Sequence, residues 1–249
     1  MPSPDWVSLG LLLPSALAFV LGGVVKGALG VGLPLVAVPL LSLWLPGPLA
    51  VALLVIPVLS SNLWQALEGG RLAASLRRFG GLIGAQCVAT VLTVRWTLAL
   101  SVDQFNAMLA LVVLLAVALM AFKPTLHISP GRERLVGVAV GLASGMLGGV
   151  SSLTGPVIIT YLMALRLPRE DFIGSVSIIY LSAALPLYAA MVWYGRLGGA
   201  EMGASALAML PVALGLFLGK RLRQRLDENR FRRVLFVFLS LLALLLLFK

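Results

Sequence analysis

Charged and chemically reactive side chains are scarce in this sequence. Only 11% of the 249 residues are charged, and there is one histidine, His127, and one cysteine, Cys87. A disulfide within the chain and a metal site built from several cysteines or histidines are therefore excluded. The sequence contains neither a paired carboxylate site nor a phosphate-binding Gly-x-x-x-x-Gly-Lys loop, which excludes pumping driven by ATP. We expect no enzymatic activity, no metal and no cofactor.

Apolar residues dominate instead. They make up 60% of the chain, and the mean hydropathy is +1.06. A soluble domain of this size cannot bury so many apolar side chains, so the sequence predicts an integral membrane protein. At roughly 20 to 25 residues per spanning helix, the chain has room for about eight to ten helices and for no separate aqueous domain. The net charge of +10 then indicates cationic cytoplasmic loops rather than nucleic-acid binding.

Ten apolar segments are separated by charged residues, proline or glycine. The second and the seventh are too short to cross about 30 Å of hydrocarbon as regular helices, and we expect half-helices or re-entrant segments there. In chain order the segments span about 8–25, 34–46, 48–67, 79–94, 103–122, 135–150, 156–165, 172–194, 202–219 and 231–248.

Ordered landmarks recur in the two halves of the chain. The pattern Gly-x-x-x-Gly-x-Leu-Gly occurs at 23–30 and again at 141–148, and a proline-led segment that ends in Leu-Pro occurs at 34–46 and at 156–168. Five segments per half is an odd number, so the second copy enters the membrane from the opposite side. The predicted fold is an all-α integral membrane protein of about ten membrane segments, some of them short or broken, in two inverted five-segment repeats.

The distribution of positive charge tests this arrangement independently. The predicted repeats occupy 1–125 and 126–249. When alternate loops are assigned to the cytoplasm, fifteen of the nineteen Lys and Arg residues lie inside, as the positive-inside rule requires, and both termini lie outside. The cytoplasmic clusters are at 71–78, 123–134, 166–169 and 220–233.

These landmarks resemble the TauE/SafE sulfite exporters, also called the toluene-sulfonate uptake permeases. Each half of such proteins has a Gly-rich segment, a short helix led by proline, a Leu-Pro turn and a helix rich in Ser and Ala. The corresponding parts here begin at 23–46 and 141–168, so the resemblance covers both halves. It implies export or import of small sulfur-containing anions such as sulfite or organosulfonates.

Glycine and hydroxyl residues interrupt the apolar pattern at equivalent places in the two halves. A broken backbone is tolerated at membrane depth only where it is buried in protein or lines a wet cavity. Each break is followed by a proline that suits the first turn of a new helix, and the free N–H groups of a helix start favour an anion. Close helix packing is the alternative role of such glycines. The predicted binding residues at the breaks are Gly30, Gly32, Ser151, Ser152, Thr154 and Gly155.

Lys26 is flanked by glycine and aliphatic residues, with no acidic residue near it in the sequence. An unpaired charge within a membrane segment should face a cavity or an anion, which makes Lys26 a candidate substrate ligand. A long lysine side chain near a helix end can instead extend to the membrane surface. The sequence leaves these two roles of Lys26 open.

Polar side chains on the third segment of each half complete the predicted substrate site. Polar groups within spanning helices avoid lipid and face either a transport pathway or a neighbouring helix, so interhelical hydrogen bonding is the alternative. The residues are Ser60, Asn62 and Gln65 in the first half and Ser177 and Tyr180 in the second.

We therefore predict a multi-pass protein of the bacterial inner membrane that exports a small sulfur-containing anion by alternating access. The expected partners are this anion and membrane lipid, without nucleic acid, and a homo-oligomer is left open. Two other classes also remain open: a membrane-embedded enzyme that acts on a lipid phosphate head group, and an assembly subunit without transport activity. The enzyme would need a nucleophile or an acid–base pair that the sequence does not provide.

Overall fold

The protein is all-helical wherever its structure is described. The computed structural model describes residues 9–68, 72–121, 128–223 and 228–247, which form eleven α-helices and no strand. The helices are α1 (Leu9–Leu29), α2 (Leu33–Leu41), α3 (Gly47–Ala52), α4 (Val55–Glu68), α5 (Leu72–Trp96), α6 (Val102–Ala121), α7 (Glu133–Ser151), α8 (Gly155–Ala164), α9 (Arg169–Trp193), α10 (Gly199–Arg223) and α11 (Glu228–Leu247).

Seven stretches of the described residues are long and apolar enough to cross a membrane, which confirms the predicted multi-pass membrane fold. The two segments expected to be short are α2, with 9 residues, and α8, with 10. At 1.5 Å per residue, each is about 15 Å long, roughly half the thickness of the hydrocarbon core. The spans are Gly10–Leu29, Gly47–Leu67, Leu72–Ala99, Val102–Leu119, Glu133–Ser151, Gly174–Trp193 and Gly199–Leu222.

The third segment is broken, whereas the sequence predicts one continuous run there. α3 ends at Ala52 and α4 begins at Val55. Pro57 stands in the first turn of α4 and has no N–H group to continue the helical hydrogen bonding. The N–H group of Ile56 donates instead to Ser205 Oγ of α10, at 3.0 Å. The break is therefore stabilised by a contact from the other half of the chain.

A close crossing joins α1 to α10. Gly23 and Gly27 of α1 lie against Gly215 and Gly219 of α10, and a Cβ atom at Gly215 would fall on the carbonyl oxygen of Val20. Small residues at this spacing let two helix backbones approach closely, which is a main source of helix association in lipid. Packing is thus the observed role of these four glycines.

A second close crossing joins α7 to α5. Gly141, Gly145 and Gly149 of α7 lie in turn against the α5 backbone at Leu82, Gln86 and Thr90. Both crossings therefore pair the first helix of one half with the fourth segment of the other. The third segments, α4 and α9, also pack together, as do the fifth, α6 and α11. The inverted relation of the two halves stays a prediction, and its boundary at 125 and 126 lies outside the described residues.

The interior and the outer surface of the helix assembly are both apolar. The short helix α2 is almost wholly buried, with Leu33, Val36 and Leu41 at most 1% exposed. Large apolar side chains such as Leu13 and Leu210, at 79% and 73% exposed, cover the outside. Because lipid is the solvent of such a surface, exposed leucines are expected there. The short helix α2 is thereby enclosed by longer helices.

Candidate functional site

The break between α1 and α2 and the break between α7 and α8 face the same cavity. In the first break Gly30 and Gly32 have φ angles of 81° and 103°, and in the second Ser152 has a φ angle of 61°. This left-handed backbone ends a helix, and glycine adopts it without steric cost. Each break leads into a short helix with proline in its first turn, Pro34 in α2 and Pro156 in α8.

The cavity is small and draws its walls from both halves of the chain. Its volume is about 50 Å³. Since a water molecule needs roughly 10 to 15 Å³ by this measure, the cavity has space for a few waters or for one small ion. Seven of the twelve predicted binding residues line it, and their role in binding stays a prediction. They are Lys26, Gly32, Asn62, Ser152, Thr154, Gly155 and Tyr180.

Lys26 places its ammonium group inside the protein rather than at the membrane surface. The residue is 4% exposed, and Nζ donates to Ser61 Oγ at 2.9 Å and to Asn62 Oδ1 at 2.7 Å. Ser61 in turn donates to the main-chain oxygen of Pro57 at 2.5 Å, which leaves its lone pairs for the ammonium. An ammonium has three N–H groups, so one remains for a ligand in the cavity.

The charge of Lys26 is not neutralised by the protein around it. Within the described ranges no carboxylate forms an ion pair with Lys26, and no acidic residue lines the cavity. A buried cation of this kind is costly unless an anion or water faces it. The cavity therefore favours an anion over a neutral molecule or a cation.

The hydroxyl group of Tyr180 also faces this region. It is buried and has no hydrogen-bond partner among the described residues. A Cβ atom at Gly155 would lie 3.0 Å from this oxygen, so the absence of a side chain at Gly155 keeps the space beside the hydroxyl open. A buried donor without a partner costs about 1 to 3 kcal/mol, which a ligand that accepts its proton would recover.

The starts of α2 and α8 add backbone donors. Their N-cap residues, Gly32 and Thr154, make no side-chain hydrogen bond to the first turn, and both line the cavity. The first N–H groups of a helix lack partners within the helix, and the helix dipole places a partial positive charge there. Two such ends at one cavity form an arrangement suited to an anion.

Five predicted residues lie away from the cavity wall: Gly30, Ser60, Gln65, Ser151 and Ser177. Ser60 and Ser151 each donate to the carbonyl oxygen four residues earlier in their own helix, at 2.6 and 2.8 Å. Gln65 donates to the carbonyl oxygen of Gly30 at 3.4 Å, and Ser177 is buried. The observed contact of Gln65 is therefore a hydrogen bond to the break after α1.

Two contributions to the site are not among the predicted binding residues. Ser61 accepts a hydrogen bond from Lys26 without lining the cavity, and an apolar part of the cavity wall includes Ala183, Ala184 and Leu187. These three wall positions follow Tyr180 at helical spacing on one face of α9, so the spacing is a signal that could identify them. The aliphatic residue Ile159 of α8 carries no such signal, because aliphatic residues fill every segment.

A protein-family model described as Sulfite exporter TauE/SafE matches residues 15–246. The chain belongs to the TauE/SafE sulfite exporter family. The match includes both breaks and the cavity between them, and it confirms the resemblance seen in the sequence. The comparisons with curated proteins and with solved structures give no match.

TauE/SafE proteins form a transporter family, and this chain is a multi-pass membrane member of it. The described lining of its cavity contains no carboxylate, thiol or imidazole. In the same part of the chain, no group of three or more His, Cys, Asp or Glu residues could hold a metal ion. The alternative of a lipid-phosphate enzyme therefore gains no acid–base pair from this geometry.

Proposed function

We propose that this TauE/SafE protein exports sulfite, or a sulfur oxyanion of similar size, across the bacterial inner membrane. The observation that carries the proposal is the buried ammonium of Lys26, which faces the central cavity with amide and hydroxyl partners rather than a carboxylate. A cationic cavity between helices attracts anions and repels cations. The family supports sulfite as the anion.

The size of the cavity favours sulfite over organosulfonates. Sulfite has four heavy atoms, which suits a volume of about 50 Å³. Cavities for drug-sized organic ligands have volumes of roughly 300 to 1,000 Å³. An aromatic sulfonate would need α2, α8 or α9 to move before it could bind.

The donors around the cavity come from both halves of the chain. The ammonium of Lys26 and the start of α2 belong to the first half, whereas the hydroxyl of Tyr180 and the start of α8 belong to the second. Sulfite has three oxygen atoms that accept hydrogen bonds, so it can engage both halves together. Charge-assisted hydrogen bonds of this kind are roughly twice as strong as neutral ones.

The proposed transport mechanism is alternating access between two inverted repeats, 1–125 and 126–249. A two-fold relation between the repeats would account for their reciprocal packing, in which α1 packs on α10 and α7 packs on α5. It would also account for two equivalent breaks at one cavity. Rocking of the two bodies would then open the cavity to each side in turn.

The proposed direction is outward, with both termini outside the cell. In a cell whose interior is negative, each net negative charge that leaves gains about 2.3 kcal/mol per 100 mV, enough for a roughly fifty-fold gradient. The described cavity lining provides no carboxylate or imidazole to carry a proton. Electrogenic export without proton coupling is therefore the simplest mechanism.

Flux measurements in proteoliposomes test substrate and mechanism together. The membrane potential is clamped with a potassium gradient and valinomycin at equal pH, and sulfite is compared with benzenesulfonate. We expect sulfite flux that rises with the driving potential and little benzenesulfonate flux, with protein-free liposomes as the blank. Equal transport of both anions would contradict the size argument. Flux that ignores the potential but follows an imposed pH gradient would replace the uncoupled mechanism with proton coupling.

Cysteine labelling tests the orientation. In a Cys87→Ser background, Ser3→Cys should react with an impermeant thiol reagent in intact cells, whereas Ser129→Cys should not. In the sequence, Ser3 precedes the first apolar segment, and Ser129 lies between the fifth and the sixth. Labelling of Ser129→Cys from outside would contradict the proposed topology.

A further inference from the structure

A second cavity, of about 330 Å³, lies between the start of α5 and the start of α7. It shares no lining residue with the central cavity and has several times its volume. Its polar walls are Arg77 and Arg78 of α5, Glu133 and Arg134 of α7, and Tyr161 of α8. The proposed transport of sulfite uses none of these side chains.

Three guanidinium groups line this cavity together with one carboxylate. Arg78 forms an ion pair with that carboxylate, since its Nε and Nη2 atoms lie 2.7 and 3.0 Å from the two oxygens of Glu133. Arg77 and Arg134 form no ion pair or hydrogen bond with any described residue, and both are exposed. Two cations therefore remain available, and arginine is the side chain best suited to hold a phosphate group through paired N–H donors.

The walls of this cavity are held in place by contacts of their own. Tyr161 donates a hydrogen bond of 3.1 Å to the main-chain oxygen of Glu133, which fixes the start of α7 against α8. The ring of Tyr161 packs edge-on against Phe79, with the centroids 6.3 Å apart. A site whose walls are already ordered loses less entropy when a ligand binds.

The surface beside the cavity is suited to an acyl chain. Leu135, Val138 and Leu142 are 77%, 38% and 45% exposed, and their spacing places them on one stripe of α7 that begins next to Arg134. On α5, a Cβ atom at Gly84 would meet no other atom within 4 Å, so the face of α5 that carries Gly84 also leaves room for an acyl chain. A cationic end followed by an open apolar stripe matches the two parts of a phospholipid.

We propose that this second cavity binds the phosphate group of an anionic phospholipid, with Arg77 and Arg134 as its ligands and the stripe from Leu135 to Leu142 along its acyl chain. Because α5 belongs to the first half of the chain and α7 to the second, the phosphate joins the two halves at one end of their crossing. The proposal does not depend on which anion the central cavity carries.

Native mass spectrometry of the purified full-length protein tests the proposal through the lipids that it retains. Phosphatidylglycerol and phosphatidylcholine of equal chain length are titrated against wild-type protein and against the double variant Arg77→Gln/Arg134→Gln. We expect wild type to prefer phosphatidylglycerol and the double variant to bind it about thirty-fold more weakly. Each basic residue near a membrane surface strengthens the binding of anionic lipid by a similar factor, and the variant lacks two such residues. The matched control is Arg95→Gln/Arg221→Gln, which removes two exposed arginines that line neither cavity.

Several outcomes would overturn this lipid site. Equal retention of the two lipids by wild type, or an equal loss of retention in both double variants, would mean that no site selective for anionic phospholipid exists. Displacement of phosphatidylglycerol by millimolar inorganic phosphate or glycerol 3-phosphate would identify a site for soluble anions instead. If the double variant does not fold, Arg134→Lys keeps the charge without the paired donors and should weaken retention in part. Sulfite flux in phosphatidylcholine liposomes is recorded in parallel, so that failure of the central site is recognised separately.

Discussion

Lys26 and Asn62 are joined by a hydrogen bond of 2.7 Å that links α1 to α4 across 36 positions of the chain. Both residues are 4% exposed. Because the partner is an amide and not a carboxylate, it fixes the position of the ammonium without cancelling its charge. An aspartate at position 62 would neutralise the cavity, and the attraction for an anion would be lost.

Replacement of Lys26 by methionine tests the role of this charge. Lys26→Met keeps the length of the side chain and removes the ammonium, so the apparent affinity for sulfite should fall by one to two orders of magnitude. This corresponds to roughly 1.5 to 3 kcal/mol for a charge-assisted hydrogen bond. The concentration dependence of sulfite flux in proteoliposomes measures it. The control is Lys220→Met, which removes an exposed ammonium near the end of α10. Wild-type affinity in Lys26→Met would assign Lys26 a purely structural role.

Two buried asparagines provide a matched test of the contact to Lys26. Asn62→Leu leaves the ammonium with one acceptor fewer and should lower the free energy of unfolding by about 1 to 3 kcal/mol. Asn106 is also 4% exposed, but its Oδ1 atom has no partner among the described residues, so Asn106→Leu should cost less. Thermal unfolding in detergent compares the two variants. A larger loss for Asn106→Leu would show that the bond to Lys26 contributes little.

Removal of the Tyr180 hydroxyl should have opposite effects on stability and on binding. In Tyr180→Phe a buried, unpartnered hydroxyl disappears, so the ligand-free protein should gain up to about 1 kcal/mol of stability while its affinity for sulfite decreases. Tyr161→Phe is the control, because that hydroxyl donates to the main-chain oxygen of Glu133 and its loss should only destabilise. Thermal unfolding with and without sulfite measures both effects. If Tyr180→Phe binds sulfite as wild type does, the hydroxyl is not a ligand.

Two glycines of α10 should respond to alanine with opposite signs. A Cβ atom at Gly215 would fall on the carbonyl oxygen of Val20 and lie 2.9 Å from the Cα atom of Gly23, so Gly215→Ala should destabilise by about 1 to 3 kcal/mol. At Gly203 a Cβ atom would meet nothing within 4 Å, and Gly203→Ala should stabilise by about 0.5 to 1 kcal/mol. Melting temperatures of the purified variants decide this. Tolerance of alanine at position 215 would mean that α1 and α10 separate easily.

The positions of the membrane segments could be predicted because the thickness of the hydrocarbon core dictates the length of each apolar run. The short helices α2 and α8 follow from the same argument, since their runs are too short to span. The break before α4 could not be predicted in this way. The N–H group of Ile56 there donates to Ser205 Oγ, 149 positions away, and nothing local in the sequence indicates this contact.

The candidate site could be predicted only in part, because a helical sequence does not reveal which face points inward. Ser60 and Asn62 are two positions apart on α4, which places them about 200° apart around the helix axis. Asn62 lines the cavity, whereas Ser60 bonds to its own helix. The burial of Lys26 likewise depends on α4, so the sequence around Lys26 cannot distinguish a buried ammonium from one at the membrane surface.

The glycine crossing of α1 with α10 also sets an order of events during biosynthesis. Gly23 and Gly215 meet although about 190 positions separate them, and a ribosome adds roughly 5 to 20 residues per second. The face of α1 that carries Gly23 therefore enters the bilayer some 10 to 40 seconds before α10 is made, and it contacts lipid until α10 packs against it. Asn62 follows Lys26 after only 36 residues, so the charge of α1 finds its partner early. The nascent chain thus shelters the ammonium of Lys26 first and completes the packing of α1 on α10 last.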